Sequence, residues 1–283
     1  RYVKGRFMGG RVAYVLSEDL PTYAIAFRKP ISKPKDIHED VYTYIRETGG
    51  CSKEMIKREF SYPARQISKA LQDLQCAFLV YEDQLDTDWD TGWFDFATEW
   101  FELHPTPEEV REARMKVLEN FLRAMVFASE GQMKSWSQWS QKIVQSVIQQ
   151  LLERGTIEQV SVAELGDGYM LAEEKERQFT DHPIPTTAFM LDRSDMLVRA
   201  HMDELKERYK DYEVLQYLLI DGEFQGSVIG HWRIGPHEIE DVIVELDDEQ
   251  ASARKDEILD AVRAFYSPVR HPILNYNGNP ESR

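Results

Sequence analysis

Residues Ser140–Leu171, SQKIVQSVIQQLLERGTIEQVSVAELGDGYML, decide how the chain is read. Val144, Ile148 and Leu151 recur at helical spacing, and Gly155 offers the left-handed stop that ends a helix. TIEQVSV is then rich in β-branched residues, and YMLAEE follows the turn GDG, so a hairpin is predicted behind the helix. A helix with a hairpin behind it serves two purposes. The helix can enter a nucleic-acid groove with the hairpin as a wing, or the unit can be a compact protein-interaction module.

Upstream, a shift of about 77 residues superimposes a second copy on the first, the kind of internal repeat that sets architecture. Val41 and Ile45 fall on Leu118 and Leu122, Ser52 on Ser129, and Ile67, Leu71 and Leu74 on Val144, Ile148 and Leu151. In the first copy, Asp36 to Glu47 reads as a helix stopped by Gly49-Gly50, Ser52 caps a short second helix, and PARQISKALQDLQ is the third. AFLVYED and GWFDFATEWF read as strands. The second copy opens on the capping box Thr106-Pro107-Glu108-Glu109 and its first helix is expected to reach about Ser129, broken by Gly131. KSWSQWSQ is its short helix and KIVQSVIQQLLERG its third. Helix, helix, helix, hairpin is the winged-helix order. Trp136 and Trp139, three residues apart on one helix face, either stack on an exposed base or seal the small core.

The ends differ. Val12 to Leu16 alternates as a strand and Ser17 is placed as the cap of a following helix, so residues 1–35 read as the remnant of an N-terminal winged helix that begins before Arg1. FTDHPIPTT is a linker. Beyond it come a charged helix, two strands across Asp221-Gly222, a third strand EIEDVIVEL and a closing helix. The expected fold is therefore α+β: tandem winged helices at 36–103 and 104–178, then a C-terminal antiparallel β-rich α+β domain at 179–283.

Charge restricts the partner. The net charge is −16, and a uniformly acidic surface repels a polyanion. Residues 1–35 run the other way, with eight basic residues against Glu18 and Asp19, a local balance of +6 that leaves −22 for the remainder. The first copy's hairpin region carries Glu82, Asp83, Asp86, Asp88, Asp90, Asp95, Glu99 and Glu102 with no cation, so the second copy is the expected reader. Candidate DNA contacts are Lys4, Arg6 and Arg11 on phosphates, with Gln141, Lys142 and Gln145 on the second copy's third helix. His231 and Arg233 on the C-terminal hairpin complete the set. The helix residues equally suit a solvated face, and His231 beside Trp232 equally suits a packed hairpin.

Other classes find no footing. Cys51 and Cys76 stand in unrelated contexts, which predicts neither a disulfide framework nor a metal site. There is no His-Glu-x-x-His, GDGYM lacks the spacing of a phosphate loop, and no cofactor is expected. No apolar run approaches the roughly 18 residues of a membrane span, and no secretory signal opens the sequence, so a cytoplasmic location is expected, with a monomer as the favoured state.

GRVAYVLSEDLP, FMLDRSDMLVRA and LLIDGEFQGSVIGHWRI, in that order around the repeats, resemble the AlkZ-like winged-helix DNA glycosylases, which excise bulky alkylpurines and unhook interstrand crosslinks. The resemblance implies three winged helices and a C-terminal β-rich domain forming a clamp on duplex DNA. It also implies a monofunctional glycosylase acting on alkylated or crosslinked purines. The family's catalytic Gln-x-Gln or Gln-x-Asp has no matching position here, and Gly9-Gly10-Arg11 with Ala13 stands where such proteins show Arg-Gly-Thr and then His. No catalytic residue is therefore carried over. The alternative is a non-catalytic winged-helix transcriptional regulator or protein-interaction module.

Overall fold

The computed structural model describes residues 1–84, 91–163, 165–175, 185–231, 238–267 and 270–281. It divides into two compact units, Arg1–Glu176 and Arg177–Arg283.

The first unit begins with an antiparallel hairpin, β1 (Tyr2–Arg6) and β2 (Val12–Leu16), joined by a tight turn at Met8–Gly10, and continues into α1 (Leu20–Phe27). Ser17 is not the cap of α1. Its N–H donates to the Arg1 carbonyl, and the helix starts at Leu20-Pro21, where proline's fixed φ suits the first turn.

The repeat follows. Its first copy is α2 (Asp36–Thr48), β3 (Cys51–Ser52), α3 (Lys53–Glu59), α4 (Ala64–Cys76), β4 (Val80–Gln84) and β5 (Thr91–Asp95), with a short α5 (Phe96–Glu99) behind. The second is α6 (Pro107–Met125), β6 (Phe127–Ala128), α7 (Glu130–Ser137), α8 (Gln141–Glu153), β7 (Ile157–Val162) and β8 (Gly166–Leu171). Helices α4 and α8 match end for end at the 77-residue shift. The two small sheets share one strand order, β3-β5-β4 and β6-β8-β7. Such agreement follows from the shared apolar stripe. Val41, Ile45, Ile67, Leu71 and Leu74 close one core, and Leu118, Leu122, Val144, Ile148 and Leu151 are buried at the matching places in the other.

Four local readings change, the first being the second copy's short helix: it ends at Ser137 with Gln138 left-handed, so Trp139 lies past its end and does not share a helix face with Trp136. The stretch after β5 is helical because the Asp95 carboxylate accepts from the Thr98 N–H at 2.9 Å and caps a turn that aromatic content alone reads as strand. Helix α6 ends at Met125, not near Ser129, with Val126 left-handed at φ 64°. Ser129 then caps α7 in a reciprocal pair with Gln132, so Gly131 lies inside that helix.

Trp136 and Trp139 are buried. Trp136 stacks on Phe121 with centroids 4.5 Å apart, and Trp139 lies 5.2 Å from Phe27 of α1. They seal the junction between α1 and the second copy, and neither is free to receive a base.

The second unit is a six-stranded sheet with helices. Its elements are β9 (Ala188–Leu191), α9 (Met196–Ala200), α10 (Met202–Arg208), β10 (Val214–Ile220), β11 (Glu223–Gly230), β12 (Ile239–Val244), α11 (Asp248–Ala253), α12 (Lys255–Arg263), β13 (Asn275–Tyr276) and β14 (Asn279–Pro280). Asp221 and Gly222 both take positive φ in the β10–β11 turn, as the Asp-Gly signal predicts. Each of the two expected helices is broken, at His201 and at Arg254. The order β14-β13-β12-β11-β10-β9 is antiparallel except for β12 with β13, which is parallel.

Candidate nucleic-acid interface

The N-terminal hairpin lies against the first copy's acidic strands, and its cations are matched there. Lys4 Nζ is 3.0 Å from Glu82, and Arg1 reaches Asp83 at 3.4 Å and Glu99 at 3.2 Å while its guanidinium sits 4.9 Å from the Trp100 ring centroid. Tyr81 lies beneath this cluster, and burial together with Glu99 and Asp83 pushes its hydroxyl up to about 12. Arg6 donates from Nε to Gln75 Oε1 at 2.6 Å and from Nη1 to the Gly10 carbonyl at 3.1 Å. Acidic residues that looked like a barrier to phosphate are thus partners of the chain's own first residues.

Gly9 and Gly10 form the turn that seats the hairpin between the two copies. Both take positive φ, and a Cβ on Gly9 would stand 2.9 Å from Gln138 Cβ while one on Gly10 would stand 3.1 Å from Cys76 Sγ. Glycine is required there by conformation and by closeness.

On α8, Gln145 donates to Glu130 Oε1 at 3.0 Å and Gln141 donates to the same oxygen. Lys142 is exposed and forms no ion pair among the described residues, and the same holds for the half-buried Arg11 side chain. His231 sits in the second unit between Glu213 at 3.0 Å and Glu240 at 2.8 Å, and the hydrogen bond to Glu213 with the charge of Glu240 raises its pKa. Arg233 lies outside the described residues. Of the eight sequence-predicted contacts, Lys4, Arg6 and Arg11 share one hairpin and Gln141, Lys142 and Gln145 share one helix.

A feature missed at the sequence level is a concave groove of about 680 Å³ beside α4. One wall is the segment 28–35, RKPISKPK, whose two prolines keep it out of helix between α1 and α2. Lys29, Lys33 and Lys35 line the groove from that wall. The other wall is α4, where Arg65, Lys69, Gln72 and Cys76 recur at one face, opposite the core stripe of Ile67, Leu71 and Leu74. Both ends of the segment are fixed: the Lys29 N–H donates to the Cys76 carbonyl at 2.9 Å, and the Lys35 N–H donates to His38 Nδ1 at 3.0 Å. His38 is buried, with Nε2 3.5 Å from Asp73 Oδ2. Burial pushes the Cys76 thiol up, against the opposing pull of Arg6, Lys29 and Lys69. The lysine-proline run and the i, i+4 spacing of Arg65 and Lys69 were the legible signals.

Neither a metal-holding cluster of His, Cys, Asp and Glu nor a helix long and apolar enough to cross a membrane occurs among the described residues.

The fold and its repeats define a class, which comparison with known proteins identifies. Residues 12–266 match the family model described as DNA glycosylase AlkZ-like. The chain belongs to the AlkZ-like DNA glycosylase family. Its fold is similar to that of Streptomyces sahachiroi DNA glycosylase AlkZ, with a TM-score of 0.65 and 15% identity over 97% of this chain and 81% of that one. None of the curated proteins matches the chain.

Proposed function

We propose that this protein is a DNA-repair protein that binds duplex DNA and, as a monofunctional glycosylase, hydrolyses the N-glycosidic bond of alkylated or crosslinked purines. The match to the AlkZ-like family over residues 12–266 carries this reading. In it, the two copies at 36–103 and 104–178 are tandem winged helices behind the hairpin and helix of residues 1–35, followed by a C-terminal domain at 179–283, in a monomeric cytoplasmic protein. The identical strand order of the two three-stranded sheets supports the tandem.

An alkylated purine is cationic and a good leaving group, so a carboxamide or carboxylate that places a water against the sugar suffices for the chemistry. No residue of the chain is assigned that role. DNA is held through the basic N-terminal segment. Arg11 and Lys142, which pair with no carboxylate among the described residues, contribute more than Lys4 and His231, whose charges are already matched. Gln141 and Gln145 must leave Glu130 to reach a groove, and Arg6 must leave Gln75.

The test is incubation with duplex DNA carrying alkylated purines, followed by detection of abasic sites by alkaline strand cleavage. Base release is expected. Sequence-selective duplex binding without release would replace this reading with that of a non-catalytic regulator, which the net charge of −16 and the Gly9-Gly10-Arg11 turn favour.

A further inference from the structure

We propose that the groove between residues 29–35 and α4 is the main phosphate-binding surface of this unit and receives the backbone of duplex DNA, which assigns backbone contact to the first copy's third helix. The inference rests on the duplex-binding reading above and adds where the duplex is held.

The argument is one of charge left over. In the first unit several cations are spent on the protein's own carboxylates: Arg1 and Lys4 on the acidic strands, Arg123 on Glu119 and Glu173, Arg154 on Glu112, Lys175 on Glu158. The groove is different. Five cations, Lys29, Lys33, Lys35, Arg65 and Lys69, line it against a single carboxylate, Asp73. That carboxylate is already shared between His38 at 3.5 Å and Lys69 at 2.5 Å. Lys29, Lys33, Lys35 and Arg65 are exposed and form no ion pair among the described residues.

A protein of net charge −16 must concentrate its attraction for DNA in one place, because its mean field repels the duplex. Concave walls focus that field. Arg65 and Lys69 lie about 6 Å apart along the helix axis, so Lys69, on leaving Asp73, adds a second donor to the strand that Arg65 meets. The prolines and the two hydrogen bonds, one to the Cys76 carbonyl and one to the His38 ring, hold the opposite wall in place before binding, which limits the ordering cost. Gln72, on the same face, adds an uncharged donor.

The experiment compares the intact protein with a K29Q/K33Q/R65Q variant, and with a K142Q variant, by fluorescence anisotropy of a labelled duplex from 50 to 200 mM salt. All four side chains are exposed, and circular dichroism confirms that each variant is folded. Each phosphate contact adds about 0.9 to the slope of log affinity against log salt, so the triple change lowers the slope by about 2.7. Over that salt range the intact protein then loses about 40-fold more affinity than the triple variant. K142Q lowers the slope by no more than about 0.9. An unchanged slope in the folded triple variant overturns the proposal, as does absence of duplex binding at 50 mM salt. The abasic-site assay on the same preparations separates the two readings. Base release with an unchanged slope rejects the groove and keeps the glycosylase, whereas a lowered slope without base release does the reverse.

Discussion

Replacing Trp136 with alanine separates the two roles that its sequence position allows. The indole is 6% exposed and stacks on Phe121 at 4.5 Å, with Phe27 edge-on at 6.2 Å. An indole buries about 200 Å² or somewhat less, which at about 25 cal/mol per Å² is close to 5 kcal/mol before the cavity relaxes. Measured truncations of buried Phe and Trp run at about 3–5 kcal/mol, and the stacked pair sits within that range. For a unit of this size each kcal/mol lowers the melting temperature by about 2–4 °C, so the transition of the first unit falls by about 6–20 °C. Calorimetry of the full chain reads the shift directly. A base-stacking tryptophan would behave in the opposite way, losing about 1–3 kcal/mol of DNA affinity with the melting temperature unmoved. That second pattern would refute the placement of Trp136 in the core.

Two further outcomes follow from local geometry. Gly9→Ala forces a Cβ to within 2.9 Å of Gln138 Cβ at φ +68°, and denaturant unfolding should show a loss of about 1–3 kcal/mol, whereas Gly49→Ala, with open space at its Cβ, should lose less. An equal loss in the two variants would show that contact at Gly9 adds nothing to backbone strain. His231 is held by Glu213 and Glu240 in its charged form, so its pKa by NMR titration should exceed the ordinary 6.5, and Glu240→Gln should lower it. The associated stability is fully present below pH 6.5 and is lost as pH rises through the raised folded value. A His231 that titrates at or below 6.5 would remove the carboxylate clamp.

What the sequence determined was periodic and local. The 77-residue repeat, the ends of α4 and α8, the Thr106 capping box and the Asp221-Gly222 turn are all legible, because apolar spacing, caps and turn residues act within a few positions along the chain. A glance at composition misreads GWFDFATEWF as strand throughout, since aromatic content outweighs one capping carboxylate, Asp95. Only tertiary structure decided where charge remains unmatched. Coulomb pairing depends on distances through space, and nothing in the sequence says that Glu82, Asp83 and Glu99 take up Lys4 and Arg1. For the same reason the sequence ranks the second copy as the reader, while folding brings Lys29, Lys33 and Lys35 opposite Arg65, across a helix whose one nearby carboxylate is already engaged.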